Sequence, residues 1–314
     1  MRDGRLGHPA IAPAACRRAR GAIMGCLHGK SIVITGAGRG LGAAYARLAA
    51  SEGARVVVND IDGAAAEAVA AAIRDSGGAA VASDADISDW DASAGLIALC
   101  ERTFGPVDGL VNNAGVFYMA APEDEERASV ERIIRVNVNG TVNCGLQALA
   151  VMKRRGRGAV LNVTSGAHAG YARMAVYGAT KGAAASLTYG WACDVAGTGV
   201  RVNAIAPIAR TRMYDQMLQT GDTRREQTGM KVSPDQNAAI AVYLLSDMAR
   251  DVNGQIVRVD IPRLSLMTHP SELVPSVERQ DWTVEAVHEA FGSVFRDRLQ
   301  PLGIHKSAGV DDGN

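Results

Sequence analysis

The sequence lacks a surplus of charge of either sign. Lys and Arg together number 33, Asp and Glu together number 33, and the sequence pI is about 7.0. Because neutralising the phosphates of a nucleic acid requires a basic surplus, this balance argues against a nucleic-acid partner. An uninterrupted run of about 18 apolar residues is also missing, so no membrane span is expected.

Cysteine and histidine are scarce and scattered. The five cysteines show no C-x-x-C spacing, and the six histidines form no H-E-x-x-H pair. We therefore expect neither a disulfide framework nor a metal site. An odd number of isolated thiols is typical of a protein in a reducing compartment, which predicts a cytoplasmic location.

Composition divides the chain into three segments. Residues 1–23 contain five arginines and one acidic residue without any hydrophobic periodicity, and we interpret them as a disordered N-terminal extension; a transit peptide is the alternative. Residues 24–262 are predicted to form one domain. Residues 263–314 form a C-terminal tail, in which apolar residues at helical spacing between 282 and 299, preceded by Thr283 as N-cap, predict an amphipathic helix.

Short β-branched segments alternate with alanine-rich helical segments from residue 30 onward, a pattern typical of βαβ units. The predicted strands are 31–35, 55–59, 79–83, 107–112, 159–164, 200–205 and 255–259. The predicted helices are 42–52, 64–75, 88–104, one or two within 123–155, 176–196 and 234–246. The order predicts an α/β fold, a three-layer, doubly wound Rossmann fold with a seven-stranded parallel sheet and a C-terminal helical tail.

Glycines crowd the turn between the first strand and the first helix, where residues 35–42 read TGAGRGLG. Gly36, Gly40 and Gly42 allow the backbone to turn sharply and to approach a pyrophosphate, whose charge is met by the N-terminus of the helix. Tight strand-to-helix packing is the simpler alternative. The acidic residue that ends the next strand favours a dinucleotide site.

The end of the second strand bears on the choice of cofactor. Asp60 is placed to accept hydrogen bonds from ribose hydroxyls and would repel a 2′-phosphate, which favours NAD. Arg39 can instead pair with that phosphate, so NADP is the alternative. Asp86, with Ile87, follows the third strand and can contact the adenine amino group; a helix N-cap is its alternative role.

Four polar residues are candidates for the chemistry. Tyr177 and Lys181 stand four apart in a predicted helix and so share one face. A nearby ammonium and an oxidised nicotinamide favour the phenolate, which can then act as a base. Ser165 ends the fifth strand, where its hydroxyl can bind the substrate oxygen. Asn137 is costly to bury unpaired, so we expect it to hold a water or a backbone kink.

With these motifs in their order, residues 29–260 resemble the classical short-chain dehydrogenase/reductase family. The motifs are TGAGRGLG, Asp60, NNAG at 112–115, Asn137, Ser165, Tyr177 with Lys181, and VNAIAP at 202–207. The resemblance implies Tyr177 as general acid/base and Lys181 as a clamp on the nicotinamide ribose that lowers the tyrosine pKa. It implies Ser165 as orienter of the substrate oxygen and Asn137 as anchor of a relay water. The implied cofactor set also includes Leu41, Asn113, Ala114, Gly115, Pro207 and Thr211.

The sequence departs from the family pattern at three places. The spacing from Ser165 to Tyr177 is one residue shorter than usual, so Thr164 can share or replace the serine's role. Ile208 stands where the family usually has glycine, and VDIPRL at 259–264 lacks the usual glycine pair. The short segment APIARTRM, VVVND and the long tail resemble the branch near the hydroxyacyl-CoA dehydrogenase units of multifunctional β-oxidation enzymes.

These features predict an NAD(P)-dependent oxidoreductase that interconverts a hydrophobic secondary alcohol and its ketone, with a 3-hydroxyacyl thioester as a candidate substrate. The alternatives are an NADPH-dependent ketoreductase acting on a polyketide-like or ring ketone, and a non-catalytic dinucleotide sensor. Apolar residues are predicted to line the substrate pocket after the sixth strand, namely Met213, Tyr214, Met217 and Leu218. The family usually pairs the long helices of neighbouring subunits, which implies a homodimer or homotetramer.

Overall fold

The computed structural model describes residues 25–209, 232–273, 275–300 and 302–304. The predicted N-terminal extension lies outside these ranges. Thr211 and the pocket residues predicted at 213–218 also lie outside them.

Eight strands form a single sheet in the described residues, in the order β3-β2-β1-β4-β5-β6-β7-β8. They are β1 (Ser31–Ile34), β2 (Arg55–Asn59), β3 (Ala79–Ser83), β4 (Val107–Asn112), β5 (Gly158–Val163), β6 (Val200–Pro207), β7 (Ile256–Asp260) and β8 (Arg263–Leu266). The first seven pair in parallel, and the chain reverses its direction of travel across the sheet between β3 and β4. The doubly wound α/β fold is therefore confirmed.

The predicted strand count needs one correction, because β8 pairs antiparallel with β7 and extends the sheet into the tail. Its sequence, RLSL, contains no β-branched residue and is only four residues long. All four residues are exposed, so the strand has no buried face that a hydrophobic pattern could reveal. Backbone pairing with β7, for example Val259 opposite Leu264, is what defines it.

Helices cover both faces of the sheet. They are α1 (Gly40–Ser51), α2 (Gly63–Asp75), α3 (Trp90–Phe104), α4 (Arg127–Ile134), α5 (Gly140–Arg155), α6 (Ala175–Asp194), α7 (Asp235–Leu245) and α8 (Val284–Ser293). One core cluster joins the sheet to α1, α2 and α7, and the other joins it to α3, α5 and α6. Ile32 and Ile34 belong to the first cluster and Val33 to the second, as the alternation of side chains along a strand requires. Outside the tail, the predicted elements begin and end within two residues of the observed ones, except that the first helix within the predicted segment 123–155 begins only at Arg127.

The tail contains the predicted amphipathic helix in a shorter form. Thr283 caps α8 by accepting a hydrogen bond from the amide of Ala286 at 3.2 Å, which confirms the predicted N-cap. The helix ends at Ser293, and a short 3-10 turn, Arg296–Arg298, follows. Among the residues described, no helix is both long enough and apolar enough to cross a bilayer.

Candidate active site

A cleft of about 1010 Å³ lies at the carboxyl ends of the parallel strands. Residues at or just after the ends of the first six strands form much of its walls: 36, 39–41, 59–62, 85–87, 113–117, 163–167 and 207–209. Because parallel strands end at the same edge, residues distant in the sequence converge there. The cleft runs from β3 at one side to β7 at the other.

The glycine-rich turn is locked against the segment that follows β4. Gly36 has a φ of +61°, and a Cβ atom there would lie 2.6 Å from Cα of Ala114. The side-chain amide of Asn113 donates to the carbonyl oxygens of Thr35 and Gly36, each at 2.9 Å. A Cβ atom at Gly42 would overlap the Gly36 carbonyl oxygen, so the turn can pack against the first helix only because residue 42 has no side chain.

The first helix begins without a side-chain cap, since its N-cap residue, Arg39, makes no capping hydrogen bond. The first amides of a helix have no partner within the helix, and their partial positive charge favours an anion. Here the first amides of α1 lie at the cleft beside Gly36 and Gly40, which have no side chains that would block a phosphate. The site therefore fits the pyrophosphate of a dinucleotide.

Charged residues at the end of β2 are paired with one another and with the backbone. The carboxylate of Asp60 accepts hydrogen bonds from the amide of Gly38 at 3.0 Å and from that of Asp62 at 3.1 Å. Arg39 forms an ion pair with Asp62, which also caps α2 by accepting from the amide of Ala65. The guanidinium that would be needed for a 2′-phosphate is thus already engaged.

Asp86 and Ile87 line the adjoining part of the cleft. The hydroxyl and the amide of Ser88 donate to Asp86 at 2.7 and 2.9 Å, and the hydroxyl contributes most to lowering the pKa of that carboxyl. The helix cap is a different residue, because Asp89 accepts from the amide of Ala92 at 2.7 Å. The alternative role of Asp86 as an N-cap was therefore wrong.

Tyr177, Lys181 and Ser165 come together at the centre of the cleft. Burial raises the pKa of Tyr177 to about 12, and the neighbouring hydroxyl of Ser165 acts in the opposite direction by favouring the phenolate. The ammonium of Lys181 lies 5.9 Å from the centre of the Tyr177 ring and donates to the carbonyl of Val163 at 2.9 Å, and burial lowers its pKa to about 8.

Thr164 and Ser165 differ in what their hydroxyls contact. The Thr164 hydroxyl is buried and donates to the backbone carbonyl of Lys181 at 2.7 Å. The Ser165 hydroxyl, in contrast, contacts Tyr177 and accepts from the amide of Ala167 at 3.2 Å. The shortened spacing has therefore not moved Thr164 into the position beside Tyr177.

Asn137 lies in a π-helical turn, Arg135–Asn139, that joins α4 to α5. Its side chain accepts from the amide of Val116 at 2.8 Å and donates to the Val116 carbonyl at 3.0 Å and to the Thr180 hydroxyl at 3.1 Å. The predicted backbone irregularity is present. The residue is buried behind the cleft wall, where it joins the segment after β4 to α6; its role as a water anchor stays a prediction.

Most of the predicted site residues lie in the cleft wall. The exceptions are Gly42 behind the turn, Asn137 behind the wall, and Thr211 outside the described residues. Phe117 and Arg258 also line the cleft but were not predicted. Phe117 packs edge-on against Tyr177, with ring centres 4.9 Å apart. In the sequence, its position just after the NNAG motif is the feature that could have identified it. Arg258 could have been identified as a charged residue between two valines of a predicted buried strand.

Comparison with known proteins agrees with this geometry. The family described as short chain dehydrogenase matches residues 30–220. 2-(S)-hydroxypropyl-CoM dehydrogenase 3 of Xanthobacter autotrophicus is 37% identical over 74% of this chain and 96% of its own length. Cis-4-hydroxycyclohexanecarboxylate dehydrogenase of Sinomonas cyclohexanicum is 39% identical over 73% of this chain and 94% of its own.

A solved structure shows the same relationship. The crystal structure of a short chain dehydrogenase from Mycobacterium avium superimposes with a TM-score of 0.78 at 30% identity, covering 90% of this chain and all of that one. The chain belongs to the short-chain dehydrogenase family. It is an oxidoreductase that acts on the CH–OH group of a small-molecule alcohol or on the carbonyl of the corresponding ketone, in a family that uses NAD or NADP.

Proposed function

We propose that this protein is an NAD-dependent dehydrogenase that interconverts a hydrophobic secondary alcohol and its ketone, with Tyr177 as the general acid/base. The observation that carries the proposal is the convergence of Ser165, Tyr177 and the ammonium of Lys181 in one cleft that also fits a dinucleotide. A proton acceptor, a substrate-orienting hydroxyl and a cation are the groups that alcohol oxidation requires.

When bound, the nicotinamide supplies the hydride acceptor or donor. Ser165 donates a hydrogen bond to the substrate oxygen and holds it beside Tyr177. During oxidation the phenolate of Tyr177 takes the hydroxyl proton, and during reduction the phenol returns it. Lys181 stabilises the phenolate, because a neighbouring cation favours the charged form of an acid.

The preference for NAD rests on the charges near the end of β2. The carboxylate of Asp60 lies at the cleft edge and would repel the 2′-phosphate of NADP. Arg39, on which the NADPH-dependent alternative depended, is paired with Asp62. This pairing makes Arg39 less available to a 2′-phosphate and so supports the choice of NAD.

The substrate class is supported by the apolar lining near Tyr177. Phe117 packs on the tyrosine ring, while Met174 and Ile208 lie in the same wall. The two relatives above are named for a hydroxypropyl compound and for a ring alcohol bearing a carboxylate. Within this class, a 3-hydroxyacyl thioester of the β-oxidation type is one candidate, to be compared directly with simple secondary alcohols.

The test is the substitution Tyr177→Phe, assayed by nicotinamide absorbance on secondary alcohols, hydroxyacyl thioesters and ketones. Removing the hydroxyl is expected to lower kcat by about 10²- to 10⁴-fold, the usual contribution of a general acid/base. The affinity for NAD, measured by fluorescence titration, is expected to stay unchanged. Tyr189→Phe is the matched control, since Tyr189 lies on the same helix but packs against His269. Near-normal activity of Tyr177→Phe would refute the proposed role.

A further inference from the structure

Arg258 is a charged residue in an otherwise buried part of β7. Its neighbours Val257 and Val259 are buried, whereas its own side chain is half-buried and lines the cleft. In the parts of the chain described, its guanidinium has no ion pair and no hydrogen bond. Asp260 lies on the same face of the strand but pairs with Arg263 at 3.4 Å.

The guanidinium lies directly against the backbone beside the proposed reaction centre. A Cβ atom at Gly166 would overlap Nη1 of Arg258 and would lie 3.1 Å from its Cζ. Gly166 directly follows Ser165, which lines the cleft together with Tyr177 and lowers the pKa of that tyrosine. The same Cβ position is 2.6 Å from Cδ1 of Ile304, so an apolar tail residue flanks the cation.

This position belongs to the substrate end of the cleft. Along the sheet, β4, β5 and β6 separate β7 from β1, after which the pyrophosphate turn lies. At about 4.8 Å for each of these four steps, the two strands are roughly 19 Å apart. Arg258 is therefore remote from the pyrophosphate turn and close to the group that holds the substrate oxygen.

We infer that Arg258 is a specificity-determining residue that binds a carboxylate carried by the alcohol substrate. An unpaired guanidinium at a partly desolvated site gains from an anionic partner, and its planar fork matches a carboxylate with two parallel hydrogen bonds. The inference rests on the proposed function, because it assumes that the substrate hydroxyl lies at Ser165 and Tyr177. It adds that the same molecule carries a negative charge on the side of β7.

The first experiment measures binding without turnover, by calorimetric titration of the NAD-loaded protein. The probes are cyclohexanecarboxylate and cyclohexanecarboxamide, which match in shape and differ in charge. The wild type is expected to bind the carboxylate at least about tenfold more tightly, as hydrogen bonds to charged groups allow. Arg258→Gln is expected to abolish that preference, and Arg258→Lys to retain part of it, since it keeps the charge but loses the fork.

Arg135→Gln is the matched control, because Arg135 lines the cleft near Asp86, at the opposite end of the sheet. It is expected to leave the carboxylate preference intact. Equal binding of the two probes by the wild type would overturn the inference, and that comparison needs no variant to fold. A carboxylate preference that survives in folded Arg258→Gln would overturn it as well.

Turnover of a hydroxycyclohexanecarboxylate and of its carboxamide separates this inference from the proposed function. Oxidation of both at equal kcat/KM would uphold the proposed function and overturn the inference. An Arg258-dependent carboxylate preference in binding, with no oxidation of any alcohol, would uphold the anion site and refute the proposed function.

Discussion

At the residue scale, the chemistry depends on two neighbouring groups that burial drives toward their neutral forms. Burial raises the pKa of Tyr177 to about 12 and lowers that of Lys181 to about 8. A phenol with such a pKa is a poor base at neutral pH. The working base therefore requires the positive charge of Lys181, and of an oxidised nicotinamide when one is bound, to favour the phenolate.

Lys181→Met removes this charge while nearly preserving the side-chain volume. Alcohol oxidation needs the deprotonated tyrosine, so kcat/KM rises with pH through the pKa of Tyr177 and is highest above it. Without the ammonium that pKa is higher, and we expect the rising limb to move upward by about one to three pH units. The measurement is the pH profile of kcat/KM for the best alcohol. A limb that stays in place would show that Lys181 does not tune the base.

The cofactor preference can be tested through Asp60 and Asp62. We expect the wild type to favour NAD over NADP in kcat/KM. Asp60→Asn removes the charge that repels a 2′-phosphate, and Asp62→Asn frees Arg39 while keeping a good N-cap for α2. Each is expected to shift the ratio of kcat/KM for NADP to that for NAD upward by about tenfold or more, since a charge-assisted hydrogen bond contributes about 1.5–3 kcal/mol. Asp235→Asn, distant at the start of α7, is the control. A wild type that prefers NADP would contradict the assignment.

At the element scale, the sequence predicted those strands and helices whose hydrophobic pattern is fixed by burial on both faces of the sheet. β2, β3 and β4 were predicted with the observed ends. A kink at Asn137 was one of two expectations, but its π-helical form was not predicted, because residues 135–139 differ from their neighbours in hydrogen bonding rather than in polarity. The bonds of Asn137 to the segment after β4 arise from tertiary packing, which a local pattern does not contain.

The π-helical turn is stabilised by Asn137, and Asn139 in the same turn provides a matched control. Asn137→Ala leaves the amide and the carbonyl of Val116 without their side-chain partner in a partly buried position. We expect a loss of about 2 kcal/mol in the free energy of unfolding, because an unsatisfied buried group costs about 1–3 kcal/mol. Urea titration measures it. Asn139 is exposed, so Asn139→Ala is expected to change stability little, and an equal loss in both variants would contradict the assignment.

At the scale of the whole molecule, the site is a property of the complete sheet. The cleft is lined by residues as far apart in the sequence as Gly36 and Arg258, and the parallel arrangement of the strands brings them to the same edge of the sheet. The glycine turn and the Tyr177 and Lys181 pair were predictable because their chemistry constrains local spacing. Arg258 was not, since its place beside Ser165 depends on the order β5-β6-β7 and on Gly166 lacking a side chain.

Assembly of several copies is the remaining prediction at this scale. α5 and α6 share one core cluster, and on its outer side α5 exposes Leu146 to 40%. Ala150 on α5 and Ala179 on α6 are exposed as well. Their small side chains would allow helices of two copies to pack closely. We expect light scattering to give two or four times the chain mass of 32.8 kDa. Leu146→Glu should lower that mass by placing a charge in the apolar contact, whereas Ile61→Glu, at a residue 70% exposed at the cleft mouth, should not. A monomeric mass for the wild type would refute the prediction.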